Sequence, residues 1–274
     1  MREHISNTVF YLPFGYYYAV RLGTLPQLLS WMLIYIMPTA FYSYTTYRGA
    51  VLPFVVNYVL LLTAAFTLYE LGYILNDTIA IRYEEQPAVR LYPNNFEHFA
   101  RYGRLIVLAR FSYAAIALAL LYLISPSVFT LPLAANILAI PIIFAIYNRW
   151  RSKYNVWLYP LLVFSRYLPF MLLYRIDGPG ILLLFLSFPM LNMLERFSMP
   201  KYRFPLMRKL IPTEESKTAF RAYYYAALLI VLTILSILTI IPYMLILPVL
   251  ILFVYRLALV YWVSRHQPTN YLNG

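Results

Sequence analysis

Eight stretches of this chain are long enough and apolar enough to cross a lipid bilayer as α-helices. A membrane-spanning helix needs about 20 mostly apolar residues to cross roughly 30 Å of hydrocarbon, and in lipid the helix satisfies its own backbone hydrogen bonds. The stretches that meet this requirement are 27–47, 51–75, 102–124, 127–147, 156–174, 180–197, 221–241 and 243–264. The sequence therefore predicts an all-α, polytopic transmembrane bundle of eight or nine spanning helices.

The composition fits a chain surrounded by lipid. Only 12% of the residues are charged and 62% are hydrophobic, whereas a soluble domain carries about 25% charged residues. The chain contains no Cys, which excludes disulfides, Cys-ligated metals and thiol chemistry. Without repeats or a low-complexity linker, residues 1–274 are predicted to be one domain. Residues 1–26 are expected to form a cytoplasmic or interfacial N-terminal segment, because 8–26 is aromatic but short for a span.

The basic residues predict how the bundle is oriented. Most of the 22 Lys and Arg residues lie near the N-terminus and in alternate loops, at 82–104, 149–153 and 196–221. The positive-inside rule places these segments in the cytoplasm. We therefore expect an integral protein of a bacterial cytoplasmic membrane with both termini inside. The net charge of +12 follows from this topology, so anionic membrane lipids and phosphorylated substrates are the expected partners, and nucleic acid is not.

Four charged residues fall inside predicted spans, at Glu70, Arg110, Arg166 and Arg256. Each such group costs roughly 2.5–3.5 kcal/mol near a span's centre on insertion scales. They are therefore predicted to face the bundle interior, where they pair or line a cavity. For Arg110 and Arg256 a structural Glu–Arg pair and a functional role are both open.

Acidic residues recur along the end of the second span. Glu70, Asp77 and Glu84 are spaced by seven residues, so a helix places them on one face, with Tyr73 between the first two. Like charges stacked in this way need a positive partner, which is either a divalent cation or a nearby Arg. Carboxylate and amide oxygens at the membrane edge suit Mg²⁺. A solvated acidic loop after the helix is the alternative.

The same stretch resembles the first motif of the UbiA superfamily of intramembrane prenyltransferases. That motif reads N-D-x-x-D-x-x-x-D at the cytoplasmic end of the second helix, and Asn76 and Asp77 match its first two positions. Ala80 departs from the next acidic position, and Glu84 replaces the last Asp. Downstream, Arg90 resembles the basic residue that follows the acidic motif.

Two further elements resemble the family. Tyr147 and Arg151 resemble its Y-x-x-x-K element, with Arg in the place of Lys, and Arg166 lies in a family-like fifth span. Where classical members carry D-x-x-x-D after the sixth span, Asn192 and Glu195 supply oxygens without a second carboxylate four residues later. This basic, single-acid stretch is most similar to the polyprenyl-phosphate phosphoribosyltransferase branch.

The resemblance implies a transferase that binds a diphosphate through Mg²⁺, or Mn²⁺. It implies metal ligands at Asn76, Asp77, Glu84, Asn192 and Glu195. It implies catalytic roles for Asp77, Glu84, Tyr147 and Arg151. It implies substrate-binding roles for Tyr73, Arg90, Arg149, Lys153 and Arg166. The polar ends of the second, fourth and sixth spans are thus expected to form a charged cytoplasmic mouth.

Three functions follow as hypotheses. In the first, phosphoribose moves from phosphoribosyl diphosphate to a polyprenyl phosphate of the cell envelope, and the many Arg residues favour it because both substrates are anionic. In the second, a prenyl group moves from a prenyl diphosphate to an aromatic or other small acceptor. In the third, the substituted motif marks a non-catalytic lipid-binding or scaffold protein.

Overall fold

Helices account for all the regular structure that is described. The structure is a computed structural model that describes residues 5–83, 89–127, 129–150, 155–199, 202 and 204–266. Over these residues the chain forms α-, 3₁₀- and π-helical segments and no β-strand, which confirms the predicted all-α bundle. The α-helices are α1 Leu25–Trp31, α2 Met37–Thr46, α3 Val51–Thr78, α4 Pro93–Ile124, α5 Leu131–Arg149, α6 Asn155–Ser165, α7 Leu168–Tyr174, α8 Gly178–Phe185, α9 Leu191–Phe197, α10 Pro205–Leu210, α11 Glu214–Ile237 and α12 Leu247–His266.

Within the described residues, six helical stretches are long and apolar enough to span a membrane. They are Val51–Thr78, Pro93–Ile124, Leu131–Arg149, Gly178–Phe197, Ser216–Ile237 and Tyr243–Arg265. Helices α6 and α7 together make a seventh candidate, bent by 40° where they meet. This count of six or seven is slightly below the predicted eight, and it confirms that the chain is an integral membrane protein.

The predicted span that is not in this count is 27–47. This stretch is helical, but it consists of α1, a π-helical turn at Met32–Ile36, and α2. Pro38 has no amide hydrogen for the carbonyl four residues before it, which interrupts the α-helical pattern. The hydroxyl of Thr39 donates to the Tyr35 carbonyl at 2.7 Å and stabilises this turn.

The chain divides into two compact units. The first comprises Met1–Met32 and Ser43–Asp177, and the second comprises Leu33–Tyr42 and Gly178–Gly274. The prediction of one domain over residues 1–274 stays a prediction.

Helix α3 is the centre of the first unit and packs against both α4 and α5. Its second half is buried on every side, which suits its almost continuous apolar sequence. Gly72 permits the close approach to α5, because a Cβ at this position would lie 2.1 Å from Cγ of Phe144. The N-terminal segment, residues 5–24, covers the opposite side through a core that includes Phe10, Tyr16 and Ile74.

The second unit is built on the antiparallel pair α11 and α12. A π-helical turn at Leu186–Met190 interrupts the helical stretch before it, where Pro189 removes a backbone donor. The hydroxyls of Tyr224 and Tyr225 donate to the carbonyls of Leu186 and Ser187 at 2.6 and 2.5 Å. These side chains satisfy backbone groups that lipid cannot hydrogen-bond.

Candidate functional site

Glu70 attaches the N-terminal segment to the centre of α3. Its carboxylate is fully buried and accepts three hydrogen bonds, from the backbone amides of Phe14 at 2.6 Å and Tyr17 at 2.7 Å and from Nη1 of Arg110 at 2.5 Å. Every one of these donors is charged or part of the backbone, so the ion is well compensated in a site that excludes water.

Arg110 of α4 is equally buried and completes the same network. Its Nε donates to the carbonyl of Phe10 at 2.8 Å, and its Nη2 donates to the carbonyl of Val9 at 3.0 Å. Of the two roles left open for Arg110, these contacts favour the structural Glu–Arg pair, which holds the N-terminal segment between α3 and α4.

Asp77 lies two helical turns farther along the same face of α3, as the seven-residue spacing predicts. Its carboxylate accepts from Nη2 of Arg21 at 2.6 and 2.5 Å and from the hydroxyl of Tyr16 at 2.8 Å. Longer bonds come from Nδ2 of Asn76 at 3.1 Å and Nη1 of Arg90 at 3.3 Å. The residue is only 1% exposed, so these donors replace water around both oxygens.

The positive partner expected beside the acidic face is therefore an arginine in the described residues. Burial by itself lowers the pKa of Arg21, but the carboxylate of Asp77 together with Tyr73 and Tyr16 outweighs this effect, and the pKa is raised overall. Burial and the same carboxylate also raise the pKa of Tyr16 well above its ordinary value, so its hydroxyl stays protonated as a donor. Neither residue was predicted as part of the site, since Arg21 was attributed to topology and Tyr16 to an aromatic interface.

The described side chains around Asp77 do not provide the oxygen ligands that a divalent cation needs. No three His, Asp or Glu side chains come together anywhere in the described residues. Ala80 contributes no oxygen, the oxygens of Asp77 are occupied by Arg21, and Glu84 lies outside the described residues. The binding of Mg²⁺ or Mn²⁺ therefore stays a prediction.

Two of the predicted substrate-binding residues join one aromatic cluster in the first unit. The guanidinium of Arg21 lies 4.5 Å from the ring centre of Tyr73, and the rings of Tyr73 and Tyr69 are 5.3 Å apart. Arg166 is 3% exposed, and its guanidinium lies 5.1 Å from the ring of Tyr69 and 5.4 Å from that of Tyr167. Cation–π contacts of this kind stabilise an arginine away from water.

A cavity of about 520 Å³ lies between the ends of α3 and α5. Leu75, Ile79 and Ala80 form much of its apolar wall on the α3 side, and Phe144 faces them from α5. Arg149, the last residue of α5, is the charged residue in this described lining. The position at which the motif departs from its acidic pattern thus belongs to an apolar wall.

The rest of the predicted basic element is only partly described. Tyr147 packs its ring 5.9 Å from that of Tyr159, and its carbonyl accepts from Asn155 at 3.1 Å. It does not line the cavity described above. The predicted contributions of Arg151 and Lys153 fall outside the described residues.

The predicted third element lies in the second unit, on α9. Both carboxylate oxygens of Glu195 accept from Arg221, at 2.5 Å from Nε and 2.8 Å from Nη2. Asn192 lies one turn earlier on the same helix and is half-buried. In the described residues Glu195 is thus the partner of an arginine.

Comparison with protein families, with characterised proteins and with solved structures finds no match to this chain. The likeness to the UbiA superfamily consequently rests on the short motifs at Asn76–Asp77 and at 147–151.

Proposed function

We propose that this protein binds a polyprenyl phosphate inside the membrane and transfers phosphoribose to it from phosphoribosyl diphosphate. The observation that carries the proposal is the cavity between α3 and α5, whose lining is almost entirely apolar and includes one charged residue, Arg149. An apolar pocket of several hundred Å³ with a few polar groups is typical of small-molecule sites. Its shape and chemistry suit a molecule with a hydrocarbon tail and an anionic head.

Arg149, the charged residue of the cavity lining, suits the phosphate. An Arg guanidinium binds phosphate oxygens in pairs, with charge-assisted hydrogen bonds. The polar residues of the described lining are Tyr83, Asn148 and Arg149. The cavity also lies at the end of α5 that the distribution of basic residues assigns to the cytoplasm, where a soluble phosphorylated donor is found.

The orientation is proposed from the distribution of basic residues. The described residues contain six or seven spans, so both termini lie inside if the helical stretch from α1 to α2 crosses as an eighth. An even number places both termini on one side, and the positive-inside rule makes that side the cytoplasm.

In the proposed step, an oxygen of the polyprenyl phosphate attacks C1 of the ribose. A C–O bond forms there while the bond from C1 to the diphosphate breaks, and diphosphate leaves with the electron pair. The leaving group carries several negative charges, so nearby positive groups lower the barrier. Arg149 is the described positive residue that lines the cavity and would act in this way. The transfer itself draws its support from the motif resemblance.

A non-catalytic lipid-binding protein is the second candidate. It is favoured by the contact between Arg21 and Asp77, which occupies the carboxylate that the resemblance assigns to a metal. The apolar environment of Ala80 points the same way. In this case the cavity holds its lipid and no group is transferred.

Blocking the cavity tests the part that the two candidates share. Ala145 lines the cavity, and Ala145→Trp is expected to weaken binding of polyprenyl phosphate at least about tenfold by filling it. Ile142→Trp is the matched control, because Ile142 is exposed on the same helix and does not line the cavity. Binding is measured as the rise in thermal stability of purified protein in nanodiscs. Equal binding by wild type and Ala145→Trp would contradict the proposed site.

A transfer assay separates the candidates. Purified protein is given polyprenyl phosphate and either radiolabelled phosphoribosyl diphosphate or a radiolabelled prenyl diphosphate, with Mg²⁺ or with chelator. Label entering lipid only from phosphoribosyl diphosphate supports the proposal, and label from the prenyl donor supports the prenyltransferase hypothesis. Binding without transfer supports the non-catalytic protein. Unchanged turnover by Asp77→Asn, or full activity in the presence of chelator, would contradict the predicted role of Asp77 as a metal ligand.

A further inference from the structure

Arg256 is a buried charge with no hydrogen-bonding partner among the described residues. It lies in α12, ten residues before the helix ends, which corresponds to a depth of about 15 Å. The residue is 3% exposed, its Nε is buried without an acceptor, and its guanidinium contacts the ring of the neighbouring Tyr255 at 5.1 Å. A single stacked ring is a weak substitute for the water that this group gives up.

Arg110 shows how this protein treats a buried arginine when the role is structural. Its three nitrogens reach the carboxylate of Glu70 and the carbonyls of Phe10 and Val9. Arg256 has no comparable acceptors in the part of the chain that the structure describes. Charged groups inside a membrane protein usually pair or mark a functional site.

Among the described side chains, the surroundings of Arg256 carry an excess of positive charge. Arg221 and Glu195 are the described Arg and Glu residues whose charges act on Arg256. Both oxygens of Glu195 are bonded to Arg221, so the single carboxylate is already neutralised. The cluster of Arg221, Arg256 and Glu195 therefore has two guanidinium groups for one acid, and Arg256 is the surplus.

Arg221 and Arg256 lie toward the same end of the helix pair α11–α12. Arg221 lies seven residues after the start of α11, at about 11 Å, and the antiparallel α12 brings Arg256 to a similar depth. Beyond Arg221, α11 is mostly apolar, and so is α12 on both sides of Arg256 up to Ser264. An occupant of this site would meet positive charge at one point and hydrocarbon around it.

We propose that Arg256, together with Arg221, binds one phosphate group in the second unit. Phosphate offers several acceptor oxygens to a guanidinium and supplies the negative charge that the cluster lacks. The source is either the head of an anionic lipid or free phosphate. This site is independent of the cavity between α3 and α5 and of the function proposed for it.

The test compares Arg256→Met with Arg265→Met in the full-length protein. Arg265 is the matched control, since it lies on the same helix and also stacks on a tyrosine, with its guanidinium 4.6 Å from the ring of Tyr261, but it is exposed. Thermal stability is measured in neutral detergent with increasing inorganic phosphate, and in nanodiscs of phosphatidylcholine with or without phosphatidic acid. Wild type and Arg265→Met should be stabilised by the anion, and Arg256→Met should bind it at least about tenfold more weakly.

The thermal stability of the protein without anion is a second measurement, and it distinguishes a phosphate-binding role of Arg256 from a structural one. Because Arg256→Met removes an unpaired buried charge, it should unfold at the same temperature as wild type or higher in anion-free neutral detergent. A marked loss of stability there, or phosphate binding equal to that of wild type, would overturn the proposal. Stabilisation by inorganic phosphate identifies free phosphate as a ligand, and stabilisation by phosphatidic acid alone identifies a lipid head. The absence of both effects in wild type would also overturn it.

Discussion

Replacing Glu70 by Gln should destabilise this protein strongly while barely changing the volume of the side chain. Breaking a buried ion pair by removing one partner typically costs about 3–5 kcal/mol, because the other charge remains buried without compensation. Glu70 and Arg110 have fully buried side chains, so solvent does not screen the pair and the full range applies. An exposed pair, by contrast, is worth roughly 0–1 kcal/mol.

The hydrogen bonds of Glu70 show where this loss arises. Gln retains one acceptor oxygen, whereas the carboxylate serves three donors, namely Arg110 and the amides of Phe14 and Tyr17. The new NH₂ group of Gln would face at least one of these donors. Arg110 would keep only its two carbonyl partners, and the N-terminal segment would lose its attachment to α3.

Two measurements check this prediction. Unfolding in detergent gives the change in free energy, and limited trypsin digestion reports whether the N-terminal segment is released, since cleavage after Arg21 requires it to leave Asp77. Glu97→Gln is the matched control, because it removes the same charge from an exposed position on α4 and should change stability by less than about 0.5 kcal/mol. The double variant Glu70→Gln/Arg110→Met should recover part of the loss.

Stability and trypsin resistance of Glu70→Gln equal to those of wild type would contradict a stabilising role for the buried pair of Glu70 and Arg110. An equal loss of stability in Glu97→Gln would also contradict it, since the effect would then be one of total charge.

Two further substitutions test the packing. Gly72→Ala should lower stability by about 1–3 kcal/mol, since its Cβ would meet Phe144 at 2.1 Å, whereas Gly178→Ala meets nothing within 4 Å and should be nearly neutral by thermal unfolding. Tyr225→Phe should cost about 1 kcal/mol in the same assay, because it leaves the carbonyl of Ser187 without its donor.

The long helices could be predicted because an apolar run of bilayer length has no other stable structure in lipid. The start of α4 could not be predicted. The helix begins at Pro93, nine residues before the predicted span, because its first turns are polar and are held by tertiary contacts. The side-chain amide of Asn95, for example, donates to the carbonyl of Ile5 at 2.9 Å and to the side chain of Asn7 at 2.8 Å.

The interruptions of the helices were also beyond the sequence pattern. Proline is tolerated in membrane helices wherever a neighbour satisfies the freed backbone groups, so Pro38 alone does not show whether a helix continues or breaks. The bend between α6 and α7 has the same ambiguity, because Pro160 lies within α6 while the break occurs farther on, at 166–167.

The acidic face of α3 illustrates what spacing can and cannot predict. The seven-residue period correctly placed Glu70 and Asp77 on one face that requires positive charge. The partners are Arg110, which is 40 residues away, and Arg21, which is 56 residues away. No local pattern connects residues that far apart. From the sequence alone, a divalent cation would supply the positive charge equally well.

The buried arginines of the spans look alike in sequence, and contacts alone distinguish their roles. Arg110 is bonded through all three nitrogens, so its removal leaves Glu70 buried as an uncompensated acid and must cost stability. Removal of Arg256 leaves no carboxylate unpaired, because Glu195 remains paired with Arg221. The free energy of unfolding should therefore fall on removal of Arg110 and hold or rise on removal of Arg256. Opposite signs at two equally buried arginines would show that the protein retains Arg256 for something other than its own folding.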